Sequence, residues 1–188
     1  MMKAKERLYG GQSQEDRVAE RRARLMQAAA TLYGRAGTAG ASVTAICAQA
    51  GLTPRYFYES FASREALLLA VFRQVCENLV ADVSAAIDHR APTDSALTAF
   101  FRLLAEYPDL ARVFLVETDH HDPEMLTVGR GMVNHLAMLI APEVTVPLAR
   151  VGAMGAVLRM ARFWIEGGYD EPVDEMAAVA RRFVDAAR

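Results

Sequence analysis

The sequence predicts an all-α protein of about nine helices, and three observations carry that prediction. Alternating Val, Ile and Thr bounded by turn residues, the mark of strands, is nearly absent. Windows rich in Ala, Leu and Met dominate a composition that is 53% hydrophobic and 23% charged, which excludes a disordered chain. Helix-start signals recur along the chain, as Ser or Asp ahead of an apolar run or Pro at a first helical position.

Residues 1–12 are polar, contain Gly10 and Gly11, and read as a flexible arm. Ser13 to Asp16 then offers a capping-box-like start to a first helix. Its expected apolar face is Val18, Leu25, Ala28, Ala29, Leu32 and Tyr33, and it stops near Gly34 to Gly37. Arg17, Arg21, Arg22 and Arg24 crowd its first half, which fits a solvated face as well as one turned to DNA.

Ser42 caps a second helix, Val43 to Ala50, with Ile46, Cys47 and Ala50 inward and Gly51 ending it in the left-handed conformation. A third helix follows at once. Thr53 is its expected N-cap, Pro54 its first residue, and Leu52 is placed to staple onto Phe57. At 100° per residue Pro54, Phe57 and Phe61 share one side, Arg55 and Glu59 point the opposite way, and Tyr56 and Tyr58 flank them. Arg55 stands in the first turn, where a cation is mildly unfavourable and a bound anion is welcome. Two short helices joined by a Gly-containing turn form the helix-turn-helix pattern, whose second helix enters the major groove.

Ser63 caps a longer helix from Arg64 to about His89, and Pro92 and Asp94 introduce a fifth, Ser95 to Tyr107. Pro108 opens a sixth, to Thr118, and Asp122-Pro123 a seventh, to Pro142. An eighth follows Pro147 and runs to about Gly167, with Val151, Met154, Leu158, Ala161 and Ile165 on one stripe beside Gly152, Gly155 and Ala156. Asp170 to Pro172 starts the ninth, striped by Met176, Val179, Ala180, Phe183 and Val184. Such a terminal pair docks either internally or against a copy of itself.

The net charge of −2 hides an asymmetry. Residues 1–72 carry ten Lys and Arg against six Asp and Glu, and residues 73–188 eleven against seventeen, so the parts are +4 and −6. A basic end on an acidic body suits a polyanion at one end only. Cys47 and Cys76 both fall on apolar helix faces and read as buried thiols in a reducing compartment. No apolar region follows Lys3, Lys5 and Arg7, and no run nears the about 20 apolar residues of a membrane span, so a cytoplasmic protein with no membrane partner is expected.

The first 72 positions resemble the DNA-binding domain of the TetR family of bacterial transcriptional regulators. The resemblance rests on an ordered set: Ser42 to Cys47, Gly51-Leu52-Thr53, Phe57-Tyr58, Phe61 and Ser63 to Leu67. It implies that residues 1–62 form a DNA-binding domain and 63–188 a ligand-binding and dimerisation domain. It further implies DNA contacts by Ser42, Thr44, Thr53, Pro54, Arg55, Tyr56, Tyr58 and Arg64. Among these, Thr44 and Tyr58 hold phosphates, Arg64 stands where a lysine commonly reaches a phosphate, and Pro54, Arg55 and Tyr56 face base edges. Two departures from the family pattern stand out: Phe57 replaces the usual Leu, and Pro54 has no N–H to donate.

Beyond residue 72 the resemblance is one of architecture. It implies a pocket for a small, hydrophobic effector among helices four to seven, to which Phe101, Leu104, Phe114, Met125, Met132 and Trp164 are assigned; core packing is the default for such residues. It implies a homodimer through Val151, Met154, Gly155, Leu158, Arg162, Met176, Val179 and Phe183. A palindromic double-stranded operator with half-sites one turn apart requires a two-fold protein in any case. The expected function is a repressor that releases its operator on binding effector, with no catalytic residue, no metal and no cofactor. Two alternatives stand beside it: a DNA-binding protein indifferent to effector, and a metal-dependent sensor or enzyme built on His120, His121 and Asp122. Adjacent His residues point in different directions, which counts against the metal.

Overall fold

The computed structural model describes residues 13–116 and 122–188, and all the secondary structure among them is helical. The expected arm, His120 and His121 lie outside the described residues, as does the side chain of Phe114.

The helix starts follow local chemistry. Ser13 Oγ accepts from the Asp16 N–H at 3.0 Å while Asp16 Oδ2 accepts from the Ser13 N–H at 2.9 Å, closing the capping box of α1 (Gln14–Gly40). Gly37, at φ 68, breaks α1 where the sequence places its end, and one further turn reaches Gly40. Ser42 Oγ caps α2 (Val43–Ala50) through the Ala45 N–H, and Gly51 at φ 63 closes it. Pro54 opens α3 (Pro54–Ser60), Ser63 caps α4 (Arg64–Ala85), and Pro92 opens α5 (Pro92–Glu106). Pro108 opens α6 (Pro108–Val116), and Asp122 Oδ1 caps α7 (Pro123–Ile140) by accepting from the Glu124 and Met125 N–H groups. Pro147 opens α8 (Pro147–Glu166), and α9 (Val173–Ala186) follows Pro172.

Three expectations are corrected here. Thr53 has the extended backbone of an N-cap, yet its side chain makes no capping hydrogen bond. Val18 is exposed, because the core-facing stripe of α1 begins only at Leu25. On α8 the buried stripe is Ala153, Met154, Val157, Ala161, Trp164 and Ile165, turned away from Val151. This helix is apolar on two faces, and spacing alone does not say which is inward.

One continuous apolar core runs from Leu25 to Val184 and joins the helix-turn-helix to the body. Helix α1 packs most extensively on α6, α4 on α7, and α5 on α9. The α1–α6 approach depends on Gly34, where a Cβ would fall 2.5 Å from Asp109 Cα.

Candidate nucleic-acid interface

Helix α3 is held from beneath by its aromatics. Phe57 is fully buried, Phe61 nearly so, and their rings meet at 6.0 Å. Tyr58 stacks edge-on against Phe57 at 5.2 Å and still leaves 64% of its surface free. Pro54, Arg55, Tyr58 and Glu59 form the outward surface. Pro54 therefore faces solvent and does not join Phe57 on the inner side. On α2, Ser42 and Thr44 are exposed as well.

The arginines of α1 act as braces. Arg24 Nη2 donates to Ala50 O at 2.6 Å, placing a cation on the C-terminal carbonyls of α2. Arg22 Nη1 donates to Ser60 O at 2.7 Å, and its guanidinium lies 4.0 Å over the Phe61 ring. Arg21 covers the half-buried Tyr56 ring at 4.6 Å. The sequence left this cluster open between solvent and DNA. For these three arginines, contacts to residues 26 to 39 positions away supply the third answer.

Two other cations find partners inside the chain. Arg55 Nε donates to Glu59 Oε1 at 2.9 Å, and that bond, first, with the charge of Glu59 second, raises the guanidinium's already high pKa. The anion expected beside Arg55 is thus supplied in part by its own helix. Arg64 Nη1 donates to Thr38 O at 3.1 Å, directing it toward the end of α1. Ser42, Thr44, Thr53, Pro54, Arg55 and Tyr58 are exposed, while Tyr56 and Arg64 are half-buried under these contacts.

In the body, Phe101 and Trp164 are sealed in the core, ring against ring at 5.7 Å. Trp164 Nε1 donates to Glu171 O at 2.9 Å. Of the other residues assigned to a pocket, Leu104 lines a 40 Å³ crevice among α4, α5 and α6. Met125 lines a 430 Å³ cleft among α1, α4 and α7. Met132 lies between two grooves, 490 Å³ against α4 and 570 Å³ against α8.

The interface assignment needs correcting at Met154 and Met176, which are 1% and 7% exposed within a single chain and serve its own core. Val151, Gly155 and Phe183 are exposed, with Leu158, Arg162 and Val179 half-buried. Leu148 and Phe163, which the sequence reading did not single out, are both largely exposed on α8. Leu148 falls at helical spacing with Val151, Gly155 and Arg162 on the outer face of α8, a signal that does not extend to Phe163.

Comparison with known proteins places this arrangement. The family model described as bacterial regulatory proteins, tetR family, matches residues 25–71, which span α2, α3 and their flanks. The curated transcriptional activator FasR of Mycolicibacterium smegmatis is 27% identical over 94% of this chain and 87% of its own length. A tetR-family transcriptional regulator from Streptomyces coelicolor shares the fold at TM-score 0.76 and 16% identity, over 90% of this chain and 80% of its own. FadR from Bacillus subtilis, solved with stearoyl-CoA, does so at TM-score 0.69 and 17% identity, over 88% and 96%. With a tetR-type helix-turn-helix at residues 25–71, a FasR-like sequence along nearly its whole length and this helical body behind it, the chain is similar to the TetR family of bacterial transcriptional regulators.

Proposed function

We propose that the protein is a homodimeric repressor that binds a palindromic operator through α3 and releases it when a small effector enters the body. The observation that carries this reading is the outward surface of α3. An exposed tyrosine, arginine and proline stand on a helix anchored by Phe57 and Phe61 and braced by Arg21 and Arg22. In this reading Tyr58, with Ser42, Thr44 and Thr53, holds phosphates, and Pro54 and Arg55 face base edges.

A two-fold axis through the exposed α8 and α9 faces pairs Val151, Phe163 and Phe183 with their copies and sets two α3 helices on one side of the DNA. Effector bound among α4 to α7 shifts α4, and with it the spacing of the two recognition helices. FadR solved with stearoyl-CoA supports an effector-binding body.

Selecting bound fragments from the source genome tests the reading. A palindromic consensus with half-sites one turn apart is expected; enrichment without a consensus overturns sequence-specific binding. Because the similar FasR is an activator, a reporter behind the recovered operator reads direction. Reporter output rises on deletion of a repressor and falls on deletion of an activator.

A further inference from the structure

We propose that Arg55 and Glu59 read DNA as one unit: Glu59 steers the arginine fork onto a guanine and itself accepts from the amino group of a nearby cytosine. The inference rests on the reading of α3 as the recognition helix, and it names the bases at one place in each half-site. Arg55 Nε donates to Glu59 Oε1 at 2.9 Å across one turn of the outward face. Their side chains are 83% and 43% exposed, so Glu59 is the fixed post and Arg55 the arm that it steers.

Helix stability does not account for the pair. Arg55 stands in the first turn of α3 and Glu59 in the last, so each charge faces the like-signed end of the helix dipole. Arginine ahead of glutamate is also the less stabilising order at this spacing. The helix is held instead by buried Phe57 and Phe61 and by Arg21 and Arg22 of α1.

Hydrogen-bond chemistry limits what the pair can meet. With Nε taken by Glu59, the guanidinium offers Nη1 and Nη2, the end of a planar fork that matches guanine O6 and N7. Glu59 bonds through Oε1 and keeps Oε2, which as a carboxylate oxygen only accepts. In the major groove the amino donors belong to cytosine and adenine, and adenine sets its N7 acceptor beside the amino group, so cytosine is the better match. Four residues rise about 6 Å and base pairs stack about 3.4 Å apart, which places the two bases within about two base pairs of each other. Against other bases the carboxylate meets acceptors, so the pair also discriminates by rejection.

The test uses the full-length protein. Wild type, Glu59→Ala and Glu59→Gln each select from random duplex DNA, and fluorescence anisotropy gives their affinities for single base-pair variants of the wild-type consensus. A guanine and a cytosine so spaced are expected in each half-site, and replacing either is expected to weaken wild-type binding about tenfold. Glu59→Ala is expected to bring both losses below about threefold with thermal unfolding unchanged. An amide both donates and accepts, so Glu59→Gln is expected to take adenine in place of the cytosine. A wild-type consensus without the two bases, or one that Glu59→Ala leaves unaltered, overturns this inference and leaves α3 the recognition helix. Equal losses on operator and random duplex in Glu59→Ala make Glu59 a support of the helix and overturn it too. A wild type that enriches no consensus overturns the reading of α3 together with this one.

Discussion

Arg55 Nε and Glu59 Oε1 lie 2.9 Å apart across one turn of α3, on the face turned to solvent. A carboxylate on a DNA-facing surface repels phosphate, and here it also occupies the arginine. Glu59→Gln releases Arg55 and is expected to tighten binding to random duplex and steepen the salt dependence, by a slope change of about one. Arg55→Ala is expected to lose about tenfold on the operator and much less on random DNA, measured by fluorescence anisotropy. Equal losses on both would make Arg55 a phosphate contact.

Tyr58→Phe removes a single hydroxyl from a residue that is already largely exposed, so thermal unfolding should be unchanged. Operator and random duplex are both expected to bind more weakly and in parallel. An isotherm identical to that of the wild type removes Tyr58 from the contacts.

Phe163 and Phe183 present large apolar surface that the chain itself leaves uncovered, at 65% and 46% exposure. Phe163→Glu/Phe183→Glu is expected to sediment as a folded monomer with lost operator affinity. A double variant that stays dimeric places the subunit contact elsewhere.

Gly34→Ala drives a methyl into the backbone of Asp109, and urea unfolding is expected to show a loss of about 1 to 3 kcal/mol. Gly131→Ala is the control. Its Cβ meets nothing within 4 Å in the middle of α7, and helix propensity predicts a gain of up to about 1 kcal/mol.

Burial, with the charge of Glu77 second, pushes the Cys76 thiol from 9.0 up to about 12. The folded protein keeps this proton while the unfolded chain loses it above pH 9, so the linked stability is complete below pH 9 and declines as pH rises toward 12. A disulfide exchange reagent at pH 8 should therefore modify Cys76 only as fast as the protein opens. Immediate reaction in the native state would contradict its burial.

The parts legible in the sequence were those decided within a turn or two. Ser42, Gly51, Pro54, Ser63 and Asp122 set their helix ends by local hydrogen bonding or fixed dihedrals, and the structure has those ends where the residues put them. What escaped depends on distant partners. Nothing near Arg22 or Arg24 announces Ser60 O or Ala50 O. Met154 and Met176 belong to apolar stripes whichever way α8 and α9 turn, and only tertiary packing makes them core. The Trp164 ring looked like a pocket wall and is instead wedged between Phe101 and Tyr169, which makes its emission a poor reporter of ligand.

The close seating of Gly34 on Asp109 makes α1 a lever. Arg21 and Arg22, which grip α3, lie twelve to thirteen residues along the same helix from Gly34, an arm of about 20 Å. Rotation by about 3° at the Asp109 end therefore displaces the grip on the recognition helix by about 1 Å, and α6 is the part of the body that holds the short end.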